Sequence, residues 1–208
     1  MYTALIIAAF VIAILAFSNL VFLWTHNFVY SRKFAHGLIG LVILSFPTLF
    51  DTPFYPVVLS LSFFVVLVIA HSYDIFIGVA QKGRFSEIYF AFSVAVCLAS
   101  GWWIDPWIGV AAALFLAWGD GITGAIRSFT VKEHSKDWRG SFGCIITCGL
   151  IGGLLVQPFW VGLIGALVGT LAEHFCGDAK RTILNIDDNL AMPLLSLAFM
   201  LGIIYAIS

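Results

Sequence analysis

Long apolar runs separated by short polar breaks divide the chain. A helix needs about 20 apolar residues to cross the hydrocarbon core of a bilayer, with a range of roughly 17–25. Runs of that order cover approximately residues 2–24, 34–50, 54–74, 87–104, 106–126, 141–156, 158–175 and 189–207. They are apolar all round rather than alternating, which favours helices over a barrel. Three breaks are short and contain proline: Asp51-Thr52-Pro53, Asp105-Pro106 and Gln157-Pro158. Proline suits helix starts and tight turns, so these breaks join antiparallel neighbours. The expected fold class is therefore all-α: a polytopic transmembrane helical bundle of about eight spans, in a single integral-membrane domain over residues 1–208. The first run, Tyr2 to about Trp24, has no basic segment before it and exceeds a signal-peptide core, so it reads as a retained span. Gly165 and Gly169 form a small-xxx-small pair, which predicts close helix contact.

The charges give the bundle a direction. The ten basic residues are Arg32, Lys33, Lys82, Arg84, Arg127, Lys132, Lys136, Arg139, Lys180 and Arg181. They occupy four polar clusters, each separated from the next by a pair of apolar runs whose connector has no basic residue. By the positive-inside rule the clusters face the cytoplasm and both termini lie on the other side.

Composition narrows the class. The chain is 62% hydrophobic with a mean hydropathy of +1.05, and only 10% charged. A soluble domain is about 25% charged, which excludes a soluble globule. Ten basic residues confined to one membrane face do not form a nucleic-acid groove, so no nucleic-acid partner is expected. Cys97, Cys144, Cys148 and Cys176 form no C-x-x-C pair. They read as small apolar packing residues, without disulfide or zinc.

Nearly every residue capable of chemistry falls in the same clusters. In Arg32-Lys33-Phe34-Ala35-His36, helical spacing brings Arg32, Lys33 and His36 to one face, as a phosphate fork, a point charge and a proton carrier. The alternative is a positive-inside anchor with an incidental histidine. Glu87, opening the fourth run, fits a favourable helix-dipole position. Asp120 lies at a span end between Gly119 and Gly121, and ionisable residues in spans point to function. Thr123 and Arg127 follow one turn apart. Lys136, Arg139, Gly140 and Ser141 then make a basic Gly/Ser segment, and a helix opening at Gly140-Ser141 would offer N–H groups to an anion. Asp187-Asp188-Asn189 suits a hard cation such as Mg²⁺, or else caps the last helix.

Four of these elements together resemble a known family. Arg32-Lys33-x-x-His36, Gly119-Asp120-Gly121, Lys136-x-Trp138-x-Gly140-Ser141 and Asp188-Asn189-x-x-x-Pro193 are similar to motifs of the CTP-dependent polyprenol kinases, the group of dolichol and phytol kinases related to phosphatidate cytidylyltransferases. The Glu87-x-Tyr89-Phe90 element adds to the likeness, and Arg139 departs from it where an acid is expected. The resemblance implies phosphoryl transfer from CTP, with Mg²⁺, to the hydroxyl of a membrane lipid alcohol such as dolichol, at the cytoplasmic face of the bilayer. On that basis Asp120, His36 and Lys136 are the catalytic candidates. Arg32, Lys33, Thr123, Arg139, Gly140, Ser141 and Asn189 would bind nucleotide, and Asp120, Asp187 and Asp188 would bind metal. A CDP-lipid synthase or a CTP-dependent diacylglycerol kinase is the neighbouring alternative. A small transporter is the alternative from another class, disfavoured because charge avoids the span centres. Oligomeric state is not legible.

Overall fold

A computed structural model describes residues 2–73, 75, 85–130, 137–177 and 186–207. Every regular element among them is helical: α1 (Tyr2–Thr25), α2 (Phe28–Leu49), α3 (Phe54–Ser72), α4 (Ser86–Gly101), α5 (Pro106–Leu114), a π-helical segment (Phe115–Asp120), α6 (Gly121–Thr130), α7 (Trp138–Leu155), α8 (Phe159–Phe175) and α9 (Asp188–Ile207). The segments from Pro106 to Thr130 run as one rod. Tyr2–Thr25, Phe54–Ser72, Pro106–Phe129, Trp138–Leu155 and Asp188–Ile207 are each long and apolar enough to cross a membrane; α4 and α8 are shorter apolar helices.

Polar residues in the breaks start the helices. The Asn27 side chain accepts from the N–H groups of Val29 and Tyr30, at 2.9 and 3.3 Å, and caps α2. Asp105 accepts from Trp107 N–H at 2.9 Å, with Pro106 in the first turn of α5. Asp137 accepts from Arg139 N–H at 2.8 Å and caps α7. Each satisfies N–H groups that a helix start leaves unpaired. These caps move two boundaries from those the hydropathy runs suggest. α2 begins at Phe28, so Arg32 and Lys33 lie inside the helix, and α7 begins at Trp138 rather than at Gly140-Ser141.

The rod from Pro106 is the centre of the bundle. About two-thirds of its most apolar window, 67%, is buried, against 28–33% for the other four long apolar helices. Every residue from Val110 to Ala117 is fully buried, and its alanines let α2, α4, α7 and α9 close around it. Outer helices bury one stripe and expose Leu, Ile, Phe and Val on the other, as a lipid-facing surface requires. Where helices come closest, glycine is needed: Gly152 of α7 and Gly162 of α8 meet backbone to backbone, so a Cβ on either would collide with the other. The expected Gly165/Gly169 contact is also present, against Met200 and Ser196 of α9.

The helix order brings the starts of α2, α4, α7 and α9 together with the ends of the central rod and α8. Their charged residues therefore meet at one end of the bundle. Asp51 and Asp105 lie in connectors at the other end.

Candidate functional site

The central rod delivers a carboxylate to the charged end. Its last buried turn, Phe115 to Asp120, is wound as a π-helix, a form that often marks functional sites. Lys33 Nζ donates to Asp120 Oδ2 at 2.7 Å and to the Asp120 carbonyl at 2.8 Å. Its stem lies on Gly124, where any Cβ would strike it. His36, one turn deeper on α2, is buried; its Nδ1 stands 3.9 Å from Asp120 Oδ2, beyond hydrogen-bond range, and its ring stacks on Phe90 with centroids 4.5 Å apart. The glycines beside Asp120 differ: Gly119 is packed against Cys148 and Met192, whereas Gly121 faces open space.

A second set joins α2, α4 and the start of α9. Arg32 Nε makes ionic contact with Glu87 Oε1 at 2.7 Å without hydrogen-bond alignment, and Glu87 is buried. Arg32 also feels the charges of Asp120, Asp187 and Asp188. Asp187 Oδ1 accepts from Asn189 N–H at 2.9 Å, capping α9, while its Oδ2 accepts from Ser86 Oγ at 2.9 Å. Burial, reinforced by adjacent Asp188, pushes the Asp187 carboxyl above its usual range. Asn189 Nδ2 donates to the Ser86 carbonyl at 2.7 Å. Pro193 has no N–H for the carbonyl four residues back, that of Asn189, and Ser93 Oγ of α4 donates to it instead at 2.8 Å. The Asn189-x-x-x-Pro193 spacing thus frees a carbonyl that locks α9 to α4.

Two turns along the rod, about 10 Å from Asp120, a further patch joins α6, α7 and α8. Arg127 forks onto buried Glu173 with bonds of 2.7 and 3.2 Å. Ser141 Oγ and His174 Nδ1 are 2.8 Å apart, and Trp138 stacks on His174 at 3.9 Å between centroids. Gly140 gives room to Arg127 and Thr123.

The candidates thus divide. Arg32, Lys33, His36 and Asp120 converge, with Asp187, Asp188 and Asn189 beside them. Thr123 instead donates to the Gly119 carbonyl at 2.9 Å. The Gly140 and Ser141 N–H groups are spent on the Asp137 carbonyl at 3.1 and 3.4 Å, which replaces the anion site expected at a helix opening there. Arg139 is exposed and Lys136 lies outside the described residues. Sequence reasoning missed the roles of Ser86 and the Arg127–Glu173 pair, and read Glu87 as a favourable helix start and part of the family resemblance without its partner Arg32. The available signal was an acid at a span end on the face holding every base. Among the described residues no group of three or more His, Cys, Asp or Glu is gathered as a metal cage.

The chain matches no protein-family model, no curated protein and no solved structure.

Two stability predictions follow from this geometry. Ser93→Ala should cost about 1–3 kcal/mol, the penalty for a buried carbonyl left unpaired. The loss should shrink in a Pro193→Ala background, where a backbone N–H returns, and equal losses in both backgrounds would refute the pairing. Asp187→Ala should lower stability by about 1 kcal/mol, whereas Asp187→Asn keeps the cap. A raised carboxyl makes its stabilising contribution when protonated, fully present below the unfolded pKa and lost as pH rises through the higher folded value. Melting temperature against pH should therefore lose that slope in Asp187→Asn.

Proposed function

We propose that this protein is a membrane-embedded kinase that transfers a phosphoryl group from CTP to the hydroxyl of a lipid alcohol of the polyprenol class. The observation that supports this best is a pair of buried polar atoms without hydrogen-bond partners among the described residues. They are His36 Nδ1, on the helix that carries Arg32 and Lys33 into the Arg32–Glu87 and Lys33–Asp120 ion pairs, and Asn189 Oδ1, whose amide is bonded to Ser86 next to Glu87. Burying such groups unpaired is costly, so their presence beside these charges is what a ligand-binding site requires. The choice of CTP and of a polyprenol follows the motif resemblance.

Phosphoryl transfer needs positioning and charge neutralisation more than covalent catalysis. Asp120 would either accept the proton of the attacking hydroxyl or bind the cation, with Lys33 holding its carboxylate in one orientation. His36 Nδ1 is free to bond a phosphate oxygen or the hydroxyl. Arg32, fixed by Glu87, supplies positive charge, while Gly121 leaves the approach to the backbone open.

Two cations, Arg32 and Lys33, here face the carboxylates of Asp120, Glu87, Asp187 and Asp188. That balance suits a nucleotide carried with a cation better than a bare triphosphate. Mg²⁺ usually takes only one or two carboxylates alongside phosphate oxygens, so the lack of a protein cage fits it. Asp120, Asp188 and the Asn189 Oδ1 oxygen would hold it. Bound there, it would neutralise charge on the phosphates.

We further propose eight spans, with the charged end in the cytoplasm and both termini outside, which puts the reaction at the cytoplasmic surface. Single cysteines at Arg139 and at Asp51 or Asp105 should then label from opposite sides of sealed vesicles. Labelling of Arg139 and Asp51 positions from the same side would overturn the topology.

Purified protein should phosphorylate dolichol from labelled CTP and release CDP, with labelled ATP as the comparison donor; pyrophosphate release would indicate a cytidylyltransferase instead. Asp120→Asn should cut turnover by about 10²–10³, as for loss of one preorganised stabilising group. Near-normal turnover in the folded variant would make Asp120 structural.

A further inference from the structure

Away from the charged end, the bundle is open along one seam. α1 packs along α2 but touches α3 only sparsely. An apolar cavity of about 330 Å³ lies between α1 and α3, against Ala4, Ala8, Tyr55 and Val58. That volume is within the range of ligand pockets, about 300–1,000 Å³. A second, of about 60 Å³, shares the walls Leu59 and Phe63 and continues to Leu15, Leu67 and Phe90. From Ala4 to Leu15, α1 rises about 17 Å toward the charged end, so the two cavities make one groove along much of the bundle.

The groove is suited to hydrocarbon. Apart from Tyr55 at its outer end, its polar lining is Ser60 and Ser62. Both hydroxyls are spent within α3, on the carbonyls of Pro56 at 2.9 Å and Val58 at 2.7 Å. Apolar cavities of this kind stay dry and take apolar ligands. The inner end is one ring from the candidate site. Phe90 forms a wall of the groove and stacks on His36, whose Nδ1 stands 3.9 Å from Asp120 Oδ2.

We infer that the α1–α3 groove holds the hydrocarbon tail of the lipid alcohol, with the hydroxyl directed past Phe90 toward His36 and Asp120 and the chain running toward Ala4 and Tyr55. This rests on the lipid-kinase reading above. It adds a basis for chain-length selection: an alcohol long enough to reach Ala8 and Ser62 gains contacts that a short one lacks. The sparse α1–α3 contact gives the chain lateral access from the bilayer.

Ala8→Trp and Ser62→Trp narrow the outer half of the groove. For dolichol, kcat/KM should fall about tenfold or more, equivalent to about 1.4 kcal/mol, the worth of roughly two buried methylenes. For geraniol, which ends short of these positions, it should be unchanged. Ser62 is exposed, so its variant keeps the test open if Ala8→Trp does not fold. Equal losses for both alcohols, or normal dolichol turnover in the folded variants, would overturn the assignment. Geranylgeraniol carrying a diazirine at its far end, a chain of about the groove's length, provides a readout independent of catalysis. In nanodiscs, the wild-type full chain should take adducts on residues 4–12 and 55–66, displaced by unlabelled dolichol. If no alcohol is phosphorylated, the kinase reading fails while this map still decides the groove. Adducts scattered over the outer surface and not displaced would overturn the groove, as would a benzophenone at position 62 that cross-links a second copy of the chain.

Discussion

The Lys33–Asp120 ion pair is the contact on which the charged end is organised. A carboxylate at the tip of an almost wholly buried rod cannot remain charged without a partner, and removing one member of such a pair typically costs about 3–5 kcal/mol. Lys33 meets the requirement with two bonds, one to the carboxylate and one to the Asp120 carbonyl. Its route across Gly124 holds α2 against the rod. Once α2 is fixed there, Arg32 reaches Glu87 of α4, and His36 is set against Phe90. The remaining ties carry the same logic outward: α4 holds α9 through Ser86, Ser93 and Asn189, and α6 holds α8 through Arg127 and Glu173.

This arrangement separates an apolar frame from a polar end, which is what the proposed lipid kinase would need. The rod and its glycine contacts form a rigid apolar frame whose packing excludes water. Among the described residues the basic groups and the buried carboxylates are confined to one end, where ions from solvent can reach them. At that end some polar atoms are mutually satisfied, as in the Arg127–Glu173 fork, and others are not. His36 Nδ1, which stands 3.9 Å from Asp120 Oδ2, and Asn189 Oδ1 are without hydrogen-bond partners among the described residues, which suits that part of the end to bind. Along the α1–α3 seam helix contact is sparse, and the apolar groove there stops one ring short of His36 and Asp120.

Much of the frame was legible in the sequence, because a bilayer admits few solutions. With no water to satisfy backbone groups, long apolar runs must be helices, and basic residues collect on one side. The fold class, the approximate positions of the helices, the proline-marked connectors and the Gly165/Gly169 contact all follow from that constraint. So does the gathering of Arg32, Lys33, His36 and Asp120 at one end, since each sits at a run boundary of the same polarity.

Only the tertiary structure decided what those residues do to one another. Hydropathy does not identify which run is central; that depends on which rod the others enclose, and the Ala-rich rod from Pro106 is the one narrow enough. Nor does spacing along one helix reveal partners on another. Asp187 reads as a metal ligand or a cap, and its oxygens are in fact taken by Asn189 N–H and Ser86. Gly140-Ser141 reads as an anion site until Asp137 starts the helix earlier and engages those N–H groups. The role of Pro193 appears only once Ser93 of a distant helix is found on the carbonyl it frees. In each case local chemistry leaves two outcomes of similar energy, and the choice is made by a group far away in sequence.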